Sequence, residues 1–412
     1  MGHPISQPDW KPAPPAQVEY IPESQVLFIE NGQDSAVGDD FAEHIIVHYD
    51  NDDVAAPASL AAIRIDNAEY VLKPFVDAIL AKYGVSLDAI QTPKSVKSKS
   101  GVILQTIVND PGDFSYVIGP YKQPVATVSP GETFVVETAD AFENRITSPD
   151  DDITKIITLP YVNPLTGPIY VEGAEKGDTL AVTIHSIEVT RDYGVSALIP
   201  EFGGLCGTVF TRTLNPPLPP RVMLHPISNG EITFSDDLDI AAIPYEPFYG
   251  TIGTAPELEA ISSLAPGFHG GNMDAADVCP GNTIHLPVNA PGALLHIGDG
   301  HAAQGDAEVC GVATEIPTRG ILTVDLIKGQ AIATPRVESD DFLMTVGSAR
   351  PMEDAARIAF YELVMWLESA YGIERLTAYQ LCSQVARVRL ANMVDILYSV
   401  VAKFPKRYLP RS

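Results

Sequence analysis

Punctuation by proline and glycine constrains this chain more than any other feature. It carries 35 prolines and 31 glycines in 412 residues, about a sixth of the total. They separate short runs such as SPGETFVVETADAF (129–142), GPIYVEGAEKGDTLAVTIHSIEVT (167–190), PGNTIHLPVNAPGALLHIGDGH (280–301) and TRGILTVDLIKGQAIATPRVES (318–339). Within each run Val, Ile, Thr and Leu alternate with polar residues, the period of a half-buried strand. Residues 105–345 therefore read as mostly β with many turns. Regular strands between turn signals suggest a sandwich or barrel rather than alternating β-α units. Hydrophobic residues make up 45% of the chain, enough for a packed core and too many for wholesale disorder.

The two ends depart from this pattern. Residues 1–30 are polar and proline-rich and read as an extended arm. DNAEYVLKPFVDAILAKYG, near 66–86, has a helical period, with Val71, Phe75, Ile79 and Leu80 on one face and Gly84 as its stop. RPMEDAARIAFYELVMWLESAYG reads as a helix opened at Pro351, with Glu353 and Asp354 in its first turn and Gly372 at its end. LTAYQLCSQVARVRLANMVDILYSVVAKFP reads as a second helix stopped by Pro405. The expected fold is mainly β: a β-sandwich-like core (105–345) with appended C-terminal α-helices (346–412) and a short α/β N-terminal extension (1–104). Phe360, Met365, Trp366, Val394, Leu397 and Val401 give the C-terminal segment more apolar surface than an appendage buries alone. It should pack on the core or on a partner subunit, which predicts a homo-oligomer.

The formal net charge is −27. Such a surface repels phosphate backbones and anionic lipid, so no nucleic-acid or membrane partner is expected. It suits a small neutral substrate or a site that collects cations. No stretch approaches the ~20 apolar residues of a membrane helix. The opening MGHPISQPDWKPAPPAQ lacks a basic start and an apolar core. Cys206, Cys279, Cys310 and Cys382 show no C-x-x-C spacing and read as reduced thiols, giving an expected cytoplasmic location. There is no phosphate-binding loop, dinucleotide fingerprint, G-x-S-x-G elbow or H-E-x-x-H.

One window concentrates ionisable groups: GFHGGNMDAADVCPGNTIHLPVNAPGALLHIGDGHAAQGDAEVCG, residues 267–311. His269, His285 and His296 precede a run in which Asp299, His301, Gln304, Asp306 and Glu308 fall within ten residues. His285, at an alternating position in TIHLPV, reads as a strand histidine. Gly298, Gly300 and Gly305 would let the backbone approach a ligand. Imidazole mixed with carboxylate is what a hydrolytic divalent cation requires. Asp-Gly and Gly-Asp pairs are equally ordinary turn chemistry, so spacing by itself leaves both readings open.

The same residues resemble the acetamidase/formamidase family. GDGHAAQGDAE is similar to that family's GDGHAAQGDGE-like motif, with Ala307 in place of a glycine. HGGNMD, NPLTGPIYVEGAEKGDTLAVTI (163–184), PFYGTIGTAPE (247–257) and VSPGETFVVETADAF (128–142) resemble further family segments, in family order. The resemblance spans roughly 105–403. It departs in the first ~100 residues, in SYVIGPYKQPVATVSPGE, where an expected histidine is not evident, and in AFENRITSPDD, which replaces a Gly-Gly-Gln type segment. It implies a β-sandwich-like fold and hydrolysis of small carboxamides, formamide or acetamide in type, to a carboxylate and ammonia, or alternatively of lactams. A carboxylate-rich β protein that only binds a cation or ligand would share the composition, but has no need of the clustered ionisable groups.

Cleaving an amide requires breaking its resonance at attack, which a divalent metal ion, expected to be zinc, promotes by acidifying water and polarising the carbonyl. Candidate ligands are Asp140, Asp299, His301 and Glu308. Glu172, Glu308 and Asp140 are the candidate catalytic carboxylates, with Glu175 able to stand in for Glu172 and Glu308 open to either role. Asn272, Asp274 and Gly271 are candidates for substrate binding, the glycines offering backbone N–H groups to the oxyanion. Asp178 reads as a turn residue. Cys310 would be a nucleophile only in a competing scheme.

Overall fold

The computed structural model describes residues 104–109, 112–206 and 218–410, and the backbone of five strands between residues 17 and 65. The chain divides into two compact units, 1–103 and 104–412. In the first, strands Gln17–Ile21, Val26–Glu30, Val37–Ala42, Ile45–Tyr49 and Leu60–Ile65 form one antiparallel sheet. Two of these strands fall in the stretch expected to be an extended arm; QVEYI and VLFIE have the β-branched and aromatic content that favours pairing. The helix expected near 66–86 lies outside the described residues.

The second unit is mainly β, built on two large sheets in a sandwich-like arrangement. The first runs Arg387–Asn392, Tyr398–Pro405, Phe342–Ala349, Arg336–Glu338, Thr283–Pro287, Thr179–Val189, Thr318–Ile327, Thr133–Thr138, Thr106–Ile107. Its pairs are antiparallel except the last. Strand Thr179–Val189 shows the cause: Leu180, Val182 and Ile184 are fully buried and alternate with residues turned away from the core. They join Phe134, Val136, Leu322 and Val324 of the neighbouring strands and Tyr249, Ile252, Leu295 and Ile297 of the other sheet in one core.

The second sheet carries Tyr193–Leu198, Glu315–Ile316, Leu295–His301, Phe248–Gly253 and Gly270–Asn272 at its centre. Leu295–His301 is buried at every residue, as a central strand covered on both faces must be. Gly300 permits this: a methyl group there would stand 2.2 Å from Thr318 Cγ2. Gly298 likewise admits Leu165. These two glycines serve the approach of neighbouring chain segments, not of a ligand.

Helix Met352–Tyr371 forms as the sequence predicts, from Pro351 to a left-handed Gly372. Ala359, Leu363, Trp366 and Leu367 pack on Leu343, Ala402 and Phe404 of the first sheet. The second predicted helix is corrected: only Arg375–Val385 is helical, and the remainder forms strands Arg387–Asn392 and Tyr398–Pro405. An apolar stripe of Val, Leu and Ala fits either period. The choice is made by pairing of Tyr398–Pro405 along the whole of Phe342–Ala349, a nonlocal contact. No helix among the described residues is long and apolar enough to cross a membrane.

Candidate active site

Asp299 and His301 end the buried strand Leu295–His301, and cross-strand pairing builds the site around them. His301 lies opposite Phe248 on one side and Glu315 on the other. Its Nε2 stands 3.5 Å from Asp299 Oδ1 and 3.3 Å from Glu315 Oε2, and the Phe248 ring meets it edge-on. Thr251 pairs with Asn272, bringing in the Gly-Gly-Asn-Met-Asp segment; Thr251 Oγ1 donates to Asn272 Oδ1 and, at 3.2 Å, to Asp299 Oδ2. Glu308 enters on the turn Asp306–Glu308.

Five carboxylates converge: Asp274, Asp299, Glu308, Glu315 and Asp395, all nearly or fully shielded from solvent. Asn272 Nδ2 donates to Asp395 Oδ2 at 2.7 Å. Asn392 Nδ2 donates to Asp395 Oδ2 and Asp274 Oδ2, both at 3.0 Å. Asn163 Nδ2 donates to Asn272 Oδ1 at 3.0 Å. Gln304 Nε2 ties Asp274 O to Ala391 O, 3.0 Å each. Three of the acids occupy left-handed backbone, with φ of 48° at Asp274, 57° at Asp299 and 48° at Glu308. Such conformations are uncommon for side-chain-bearing residues and cluster where structure serves function. Ala307, at φ 78°, occupies a conformation that suits the glycine it replaces.

Charge in this site is unbalanced. Burial first, and then the neighbouring Glu308, Asp395 and Asp299, hold the Asp274 carboxyl well above its ordinary range. Burial likewise raises Glu308 and pushes Glu315 and Asp395 up to about 7. Burial alone would lower His301, but the charges of Glu315 and Asp299 outweigh it and hold the imidazole well above its usual pKa. One imidazolium does not offset five buried carboxylates, so the site favours added positive charge.

The donor set fits a divalent cation. Asp274, Asp299 and His301 form one group, and His301, Glu308 and Glu315 another; in each, one ligand atom per residue lies within 4.8 Å of the others. Asp274 Oδ1 and His301 Nδ1 have no hydrogen-bond partner. A methyl group on Gly250 would stand 2.6 Å from Asp274 Oδ1 and Asp299 Oδ2 and 2.9 Å from His301 Cε1. Only glycine leaves this cradle open. Mixed imidazole and carboxylate suits zinc among other divalent ions.

The sequence candidates divide. Asp299, His301, Glu308, Asp274 and Asn272 come together. Asn272 spends its amide on Asp395, Asn163 and Thr251, and so positions carboxylates. Gly271 faces Ala265 O and His269. Asp140 is buried but committed elsewhere: Oδ2 pairs with Arg191 at 2.7 Å and Oδ1 accepts from the amides of Phe142 and Asn144. Arg191 in turn donates to Glu315 O, so Asp140 braces the site from behind. Glu172 is exposed and accepts from Ser129 Oγ at 2.9 Å. Glu175 is exposed and pairs with Lys328. The structure brings neither glutamate to the cluster. Asp178, as the sequence suggests, caps a turn, accepting from the Glu175 amide. Asp306 is exposed and pairs with Arg389. His269 and His296 are buried outside the cluster, each pulled down to about 4 by burial. His285 sits in strand Thr283–Pro287. The Cys310 thiol is raised by burial and donates to Val312 O, which is not a thiolate nucleophile's setting.

Sequence reasoning did not find Glu315, Asp395, Asn392 or Asn163. Glu315 had no local signal, since it meets His301 only through the pairing of two strands. Asp395 had none, since it lies in a segment whose periodicity reads as helix.

The chain is similar to known proteins in sequence and in fold. An acetamidase from Yersinia enterocolitica has a similar structure, with TM-score 0.71 and 43% identity over 77% of this chain and 96% of that one. An acetamidase from Bacillus halodurans gives TM-score 0.67 and 32% identity, covering 74% of this chain and 98% of that one. A formamidase from Methylophilus methylotrophus is 27% identical over 251 residues, 50% of this chain and 61% of that protein. The chain thus covers less than two thirds of that relative's length. The acetamidase/formamidase family model matches residues 119–265 and 258–407, and the chain belongs to that family.

Proposed function

We propose that this chain is a metal-dependent amidohydrolase releasing ammonia from small carboxamides. The observation that carries the reading is the buried, charge-unbalanced cluster of Asp274, Asp299, His301, Glu308 and Glu315 opening into a cavity. The similar proteins named acetamidase and formamidase support it. Asp274, Asp299 and His301 would hold the ion, zinc by donor chemistry, which when bound supplies Lewis acidity to the amide carbonyl and to water.

The chain's own groups do the rest. Asn272 and Asn392 fix Asp395 and Asp274 so that the carboxylates cannot swing apart. Glu308 lines the cavity, and burial raises its carboxyl above the ordinary carboxylate range, which suits it to carry a proton. It takes the proton from the attacking water and delivers it to the departing nitrogen. The Asp140–Arg191 pair holds the Glu315 backbone in place.

Four free thiols accord with a cytoplasmic setting. Exposed Tyr361, Leu376 and Tyr379 on the paired helices support a homo-oligomer, which light scattering checks. The function is tested by ammonia release from formamide and acetamide by wild type and Glu308→Gln. Turnover should fall ~10²–10⁴-fold if Glu308 carries the proton. An unchanged rate in the folded variant removes Glu308 from that role.

A further inference from the structure

The cluster opens into a cavity of about 670 Å³. A four-heavy-atom amide such as acetamide needs about 120 Å³, taking water's ~30 Å³ per heavy atom as the measure. Most of the space would stay unfilled by formamide or acetamide. The walls beyond the cluster are overwhelmingly apolar: Phe142, Ile199, Phe202, Leu264 and Val394 are among them, and the apolar lining reaches the surface at Leu159, 72% exposed, and Ile396, 58% exposed. Charged groups in the lining outside the cluster are Glu201 and Arg350. Arg350 is engaged: Nη2 donates to Asp395 O, and its guanidinium lies 4.4 Å above the Tyr398 ring. Glu201 and Arg350 carry opposite charges, so the lining outside the cluster offers no net charge to attract an ionic substituent.

We infer that the preferred substrate is a neutral carboxamide with an apolar acyl group well larger than acetyl, a medium-chain aliphatic or arylalkyl amide. This rests on the reading of the cluster as an amide-hydrolysing centre. A polar pole beside an extended apolar wall is the arrangement that orients an amphipathic ligand by its polar end and gains affinity along its hydrocarbon. Each methylene buried against that wall should raise kcat/KM about three- to fourfold.

The test is ammonia release by the full chain, supplied with zinc, from formamide, acetamide, butyramide, hexanamide and phenylacetamide. The expected result is a kcat/KM that climbs along the aliphatic series, hexanamide exceeding acetamide at least tenfold. A flat or falling series, with acetamide turned over, overturns the inference and leaves amide hydrolysis standing. No ammonia from any amide overturns the underlying reading instead. Ile199→Trp and Leu264→Trp each add bulk to the apolar wall of the cavity and leave the cluster's own residues unchanged. Either should cost hexanamide tenfold or more while acetamide stays within twofold; equal changes for both substrates count against the inference. A thermal-shift titration gives a readout independent of turnover: hexanamide should raise Tm at concentrations where acetamide does not, and equal shifts contradict the proposal.

Discussion

Strand Thr179–Val189 and strand Leu295–His301 belong to the two sheets that share one core, yet they spend burial differently. The first buries Leu180, Val182 and Ile184 and turns its alternate residues away from the core. The second buries all seven residues, and its last three include Asp299 and His301. Apolar burial stabilises the first strand by ~1.5–3 kcal/mol per large side chain. Around the end of the second, burial opposes charge, raising the carboxyls of Asp274, Glu308, Glu315 and Asp395, which gather about Asp299 and His301. One region is built for stability; the other tolerates a stability cost for the sake of its chemistry, and the two should respond oppositely to mutation.

The largest contrast is expected from Asp299→Asn. The substitution keeps shape and removes one buried charge. Ammonia release should drop by ~10² or more, as for loss of a residue acting directly at a metal site. The Tm of chelated protein should hold or rise, since repulsion is relieved. A clear Tm loss with activity retained would make Asp299 a structural residue like those of the first strand. Leu180→Ala is the reciprocal experiment: a loss of ~2–5 kcal/mol in denaturant unfolding, with turnover per folded molecule preserved.

Gly250→Ala sharpens the comparison with a single methyl group. It would press on Asp274 Oδ1, Asp299 Oδ2 and His301 Cε1, so zinc affinity measured by competition with a chelating dye should fall while the fold persists. Unchanged affinity would show that the cradle is not the binding space.

Acid–base behaviour separates the regions further. Folded-state pKa values of Glu315 and Asp395, about 7, lie above their unfolded values near 4. Groups raised on folding contribute stability that is fully present below the unfolded pKa and is lost as pH rises through the folded one. Chelated protein should therefore lose Tm between pH 5 and pH 8, and zinc should recover more at pH 8 than at pH 5. A Tm independent of pH over that window would contradict the buried-charge account. The smallest effect is expected at exposed Glu172: Glu172→Gln should leave stability within about 0.5 kcal/mol and ammonia release unaltered.

The sequence disclosed what is local. Alternation in TLAVTIHSIEV announced a core strand, and GDGHAAQGDAE announced Asp299, His301 and Glu308. Convergence over long chain separations was hidden. Glu315 reaches His301 through a two-residue strand, Asn163 and Asn272 meet across 109 residues, and Asp395 lies in a stretch whose apolar stripe suited helix and strand alike. Asp140 and Glu172 illustrate the converse: a carboxylate at the end of a strand resembles a ligand until its partners, Arg191 for one and solvent with Ser129 for the other, are known.

The central claim is that the buried carboxylate–imidazole cluster hydrolyses amides with a bound divalent cation. Metal analysis paired with ammonia release, on the full chain before chelation, after it and after zinc is restored, tests this most directly. The account predicts at least one divalent ion per chain, loss of ammonia release when it is removed, and recovery when zinc returns. Full activity in metal-free protein would contradict it.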